Sequence, residues 1–231
     1  MSPRFIAVLL VFCGFAVTSA QARPRVMADT ISTVSPDATL VLKELGTAQL
    51  AGIMIADPKA AVTTLEALSA VEIKSLGSDR YGRARILLYR PAATQTMQEA
   101  LLRTGTAIVY DMNAVQLSWL QAEREARSAK RGIWADNTWI IEVATAKDHI
   151  GEFKLVHGTV TRTYKARDAY YINFGEDWKT DFSIAIPRGA WRAFKDSLDG
   201  LEGKTITARG VIELDNGPAL TIVRPEQMEI H

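Results

Sequence analysis

The densest run of groups able to grip a phosphate is Asp79-Arg80-Tyr81-Gly82-Arg83, followed by Arg85 and Arg90. Guanidinium groups present planar forks of N–H donors that match phosphate oxygens in pairs, and they stay charged at physiological pH. On an extended strand Tyr81, Arg83 and Arg85 share one face, so the run reads either as a local anion patch or as a solvated charged edge. Other chemistries find less support. His149, His157 and His231 stand far apart and suggest no triad, and the chain has no zinc-type His/Cys spacing, no phosphate-cradling glycine loop and no dinucleotide fingerprint.

Charge and composition narrow the setting. With 27 Lys+Arg against 26 Asp+Glu in 231 residues, the net charge is +1, so any anion binding is local rather than a property of the whole surface. A hydrophobic content of 48% is enough for buried cores, and the length suits two modules. Arg4, the apolar stretch from Phe5 to Val17 and Ser19-Ala20-Gln21-Ala22 have the layout of a secretory signal over residues 1–22. The apolar stretch is shorter than the roughly 18 residues a spanning helix needs. Cys13 is the only cysteine and falls inside it. The expectation is an exported chain, periplasmic or secreted, without a disulfide and without a membrane anchor once the signal is cut.

The elements that must hold the arginine run follow from patterning. Residues 23–33 show no periodicity and read as a flexible leader. Residues 39–42, 48–53, 71–76 and 83–89 alternate or are rich in β-branched side chains and read as strands, with Pro91 ending the last. Helices are expected over 60–70 and 96–104, the second ended by Gly105, and a longer one begins at Asn113, with Gln116 completing a capping box. Glu123 and Arg127 are spaced for an i,i+4 pair on that helix, which Gly132 closes as its C′ residue. Residues 137–150 read as a linker. Beyond them, strands at 153–163, 169–174, 182–187, 205–213 and 218–223, with a helix at 190–198, have the order of a small Greek-key barrel of the OB type.

Three separated segments, DRYGR at 79–83, Met97-Gln98-Glu99-Ala100-Leu101-Leu102-Arg103-Thr104-Gly105-Thr106-Ala107, and Ala122-Glu123-Arg124-Glu125-Ala126-Arg127 with Gly132-Ile133-Trp134, resemble the staphylococcal-nuclease (thermonuclease-like) family in order and spacing. The resemblance implies an α+β fold, mainly β: an OB-type five-stranded barrel with flanking helices over 34–136. Residues 151–231 resemble the OB-type domain that follows such a barrel in some exported bacterial proteins. It also implies a chemistry, phosphodiester hydrolysis with calcium on carboxylates, two arginines on the phosphate and a glutamate at the water. Preorganised cations stabilise the charge that builds on the phosphoryl oxygens.

Of that implied set, Arg83 matches one arginine. Gln49 stands at the other, Ala38 and Met54 stand at the two metal aspartates, and Asp57 stands at the glutamate; a register shifted by two residues aligns Ala56-Asp57-Pro58-Lys59 instead and rebuilds nothing. The expectation is therefore no metal site and no cofactor. Catalytic candidates reduce to Arg83 and Asp57, with Gln49, Arg85, Tyr171 and Trp178 as substrate contacts. In the second module Tyr171 and Asn173 should point outward while Tyr170, Ile172 and Phe174 face the core, and Arg162 and Lys165 could add cations to a stacking surface. Against this, residues 151–231 hold 11 Lys+Arg and 12 Asp+Glu. Three readings remain open: a decayed nuclease that binds single-stranded nucleic acid or an envelope protein, a phosphodiesterase working through Arg83 and Asp57, and a structural module.

Overall fold

The computed structural model describes residues 26–136, 138–177, 179–195 and 197–231. The segment 1–22, expected to be a secretory signal, and Trp178 lie outside the described residues. Among the described residues no helix is long and apolar enough to cross a membrane.

The first region is a closed barrel of five strands, β1 (Met27–Val34), β2 (Leu40–Leu42), β3 (Gly46–Leu50), β5 (Ala70–Ser78) and β6 (Ala84–Tyr89), hydrogen-bonded in the order β1-β2-β3-β6-β5. A short β4 (Ile53–Ile55) pairs outside the barrel with β7 (Ala107–Val109). Leu40, Leu42, Ile73, Ile86 and Leu88 alternate inward and are almost wholly buried. Each contributes about 1.5–3 kcal/mol of apolar burial.

Three helices flank the barrel: α1 (Pro58–Glu66), α2 (Met97–Arg103) and α3 (Leu117–Ser128). Thr96 caps α2 by accepting the Glu99 amide and also accepts the indole N–H of Trp119 on α3 at 2.9 Å. The start of α3 differs from expectation. Its N-cap is Gln116 without a side-chain bond, and the Asn113 side chain is instead engaged by Arg224. The end differs as well. Lys130, φ 50°, takes the left-handed position, whereas Gly132 packs on Gly105, where a Cβ would sit 2.3 Å from the Gly105 carbonyl oxygen.

The stretch expected to be a leader is corrected over most of its length, because 27–34 form β1. Its side chains are largely exposed, and pairing with β2 and β5 holds it in place. Asp29 reinforces this by accepting the amides of Thr30, Glu44 and Leu45. Burial pushes its carboxyl up, but those backbone donors outweigh it and leave the group below the usual range.

The second region contains more strands than expected and does not close into one ring of hydrogen-bonded pairs among the described residues. Strands β8 (Ile140–Glu142), β9 (Phe153–Thr159), β13 (Thr205–Val211) and β16 (Met228–Ile230) form a sheet ordered β16-β13-β9-β8. Strands β10 (Arg162–Lys165), β11 (Ala169–Asn173), β12 (Ser183–Pro187), β14 (Glu213–Asp215) and β15 (Gly217–Thr221) form the other, ordered β10-β11-β12-β15-β14. Two expected strands are broken, at 160–161 and at Ile212, and the helix shortens to α4 (Trp191–Phe194). Residues expected to link the modules are ordered too, as β8 and a 3-10 turn over Val143–His149.

The regions join through a buried apolar cluster, Ile108, Ala126 and Trp134 with Leu155, and through a charge network beside it. Glu123 on α3, wholly buried, accepts the Val109 amide at 2.7 Å and an Arg209 N–H at 3.1 Å. Its second oxygen lies 2.8 Å from the other Arg209 nitrogen yet has no well-aligned hydrogen bond, so that contact is a charge pairing. Arg209 also donates to Glu229, whose two oxygens both accept from one Arg127 nitrogen, at 2.6 and 2.7 Å. The anticipated i,i+4 pairing of Glu123 with Arg127 is thus a 3.9 Å edge of a four-member cluster in which Glu123 and Arg209 are buried and Arg127 and Glu229 partly so.

Candidate functional site

Strands β3 and β6 run parallel with Gln49 opposite Arg85. Ala48, Leu50, Ala84 and Ile86 point into the barrel, which turns Gln49 and Arg85 outward side by side. They line a cleft of about 730 Å³ whose far wall comes from the second region, including Phe153, Val223 and Arg224. Tyr110 and Phe153 meet across it with ring centroids 5.1 Å apart.

The near wall is built by two residues that patterning did not single out. Gly52, φ 83°, offers its carbonyl to the amides of Tyr110 and Asp111 and so draws that segment over β6. Gln98 on α2 is fully buried; its amide nitrogen donates to Ile86 and Ala51 carbonyls and its oxygen accepts the Leu88 amide. A polar side chain among the apolar positions of α2 was the available signal. With this clamp in place, Asp111 forms an ion pair with Arg85 and accepts the Asn113 amide through its other oxygen.

Of the expected site residues, Gln49, Arg85, Ala38 and Met54 come together in the cleft. The Gln49 amide reaches the Thr39 hydroxyl at 3.4 Å, and that hydroxyl donates to Asp37. Arg83 stands apart on the 79–83 turn, so it does not share a strand face with Arg85, because β6 begins only at Ala84. Its Nε donates to Asp79 at 2.7 Å, and Asp79 also accepts the amides of Tyr81 and Arg83. Desolvation raises the Asp79 carboxyl, but these donors and the Arg83 charge outweigh it and hold the group below its ordinary range.

Asp57 is not a cleft residue. It caps α1 by accepting the Ala60 amide at 3.1 Å, which accounts for its carboxylate. Tyr171 lines a separate hollow in the second region. Lys165 is turned onto the Trp191 ring at 4.8 Å.

Calcium requires about six to eight oxygen ligands, and the cleft does not present such a set. The positions where the resemblance places its carboxylates carry the methyl of Ala38 and the thioether of Met54. The acids that do reach the cleft are engaged, Asp37 by Thr39, Asp79 by Arg83, Asp111 by Arg85 and Glu213 by the Thr221 hydroxyl. No three His, Cys, Asp or Glu side chains among the described residues are grouped to hold an ion.

A closed five-stranded barrel of this order, clamped by α2 and α3 and carrying an arginine turn between β5 and β6, agrees with the expected SNase/OB-like fold. Residues 57–136 match the family described as "Staphylococcal nuclease homologue". A curated relative, "Probable endonuclease LCL3" of Komagataella phaffii, is 31% identical over 72 residues, 28% of this chain and 32% of the relative. The match therefore spans about a third of that relative's length.

Proposed function

We propose that the barrel binds single-stranded nucleic acid without cleaving it by the calcium route of its family. The observation that carries this reading is the pairing inside the cleft: Arg85 is neutralised by Asp111 beside Gln49, Ala38 and Met54, so neither a free phosphate clamp nor an ion-holding carboxylate set remains. Loss of a single preorganised donor typically costs about 10²- to 10³-fold in rate, and several positions are changed at once.

Binding has a physical basis on the 79–83 turn. Tyr81 is 66% exposed, with the Arg80 guanidinium 4.8 Å and the Arg83 guanidinium 5.2 Å from its ring centre. An open ring braced by two cations gives a base a stacking platform and a phosphate a partner. The family domain and the endonuclease name of the relative support nucleic acid as the ligand class. Export by the segment before residue 23 belongs to the same proposal and puts the interaction outside the cytoplasm.

The test is a labelled single-stranded oligonucleotide incubated with the chain lacking residues 1–22, with and without calcium or magnesium. The expected result is retardation at constant length that fades with salt. Tyr81→Ala should weaken it about tenfold, the loss of one stacked base. Shortening of the oligonucleotide that Arg83→Ala abolishes would overturn the proposal in favour of a working phosphodiesterase.

A further inference from the structure

The outer face of the five-stranded sheet carries a hollow of about 400 Å³ with its own chemistry. Its shape follows from the strand registers. One row across the sheet reads Tyr164, Tyr171, Ala185, Thr221, and the neighbouring row reads Arg162, Asn173, Ser183, Ala219, Glu213. Small side chains on β12 and β15 make a low floor. Two tyrosines rise on one side, and Glu213 and Asp215 of β14 rise on the other.

The sign of the hollow opposes nucleic acid. Among the described residues Arg162 is the only cation lining it, against Glu176, Glu213 and Asp215. Around Tyr171, burial together with the charges of Asp168 and Asp215 holds the phenol above its usual range, the response of an acid in a negative field. Guanidinium and ammonium groups gain from both walls, by lying over the tyrosine faces and by pairing with the carboxylates.

The border of the hollow indicates what carries those cations. β14 ends the sheet and pairs only with β15, so its outer backbone edge is open among the described residues. Between the two carboxylates Leu214 points the other way and is 70% exposed. An extended main chain can pair with such an edge while alternate side chains drop into the hollow, and a polyamine cannot make those amide bonds.

We propose that this hollow is a docking site for an extended, Arg- or Lys-bearing peptide segment of a protein partner. It stands on different residues from the oligonucleotide reading, so either can fail alone. The test is fluorescence anisotropy of a labelled short peptide alternating Arg and Ser, with a Glu/Ser peptide of equal length as the control. The Arg peptide should bind, more weakly as salt rises, and the Glu peptide should not. Glu213→Gln combined with Asp215→Asn should weaken binding about tenfold. Tyr171→Ala should weaken it comparably while Tyr171→Phe retains it, with thermal melting to confirm that each variant folds. Equal binding of the Glu peptide, an unchanged affinity in the double variant, or equal displacement by spermidine at matched charge would each overturn the proposal.

Discussion

Removing the Arg209 side chain would leave Glu123 fully buried with the Val109 amide and a guanidinium 3.9 Å away as its remaining support. Breaking one side of a buried ion pair typically costs about 3–5 kcal/mol, because the abandoned charge stays desolvated. Arg209→Ala should therefore lower unfolding free energy by roughly that amount, measured in urea. Glu123→Gln in the same background should recover part of the loss, and the double-mutant cycle isolates the coupling. By contrast, Asp57→Ala removes a helix cap and should cost only about 1 kcal/mol.

Gly52 is where a single residue decides the geometry of an element. A Cβ there would lie 2.5 Å from the Trp119 ring, and the φ of 83° is unfavourable for any other residue. Gly52→Ala should cost about 2 kcal/mol or more and displace the 110–111 segment that carries Asp111. Thermal melting and tryptophan emission would record both effects. Where side-chain patterning builds an element, the sequence is readable: β5, β6 and α2 follow from alternation or from a helical apolar face, and the motifs on them point to the family. Where the ladder builds it, as in β1, whose side chains are mostly exposed, there is no pattern to read. The cleft is half legible for a related reason. Gln49 and Arg85 could each be placed on a strand from the pattern, but the pairing of those strands and the capture of Arg85 by Asp111, which depends on the Gly52 turn and the buried Gln98, could not. Glu123 looks like a surface residue on its own helix, because the arginine that buries it lies 86 residues further along the chain.

The two regions share one buried seam, apolar at Leu155 and charged at Arg209, so the described chain should unfold in a single thermal transition near neutral pH. Acid acts on that seam through Glu229. Burial raises its carboxyl, but the hydrogen bond and charge of Arg127, with the charge of Arg209, outweigh burial and hold it below its ordinary 4.5. An unfolded Glu229 binds its proton first, so the stabilisation is complete above 4.5 and is lost as pH falls through the lowered folded value. Melting temperature should be flat with respect to this group above about pH 5 and decline below it, and Glu229→Gln should flatten the acid limb.

Glu213 and Thr221 line both the inter-region cleft and the sheet hollow, forming a partition one hydroxyl–carboxylate bond thick. A cationic tenant of the hollow neutralises that shared carboxylate and so relieves its repulsion of an anion in the cleft, which couples the two occupancies favourably without contact between them. Thermodynamic reciprocity makes the mutual gain symmetrical: whatever occupancy of the hollow adds to affinity in the cleft, occupancy of the cleft adds in return.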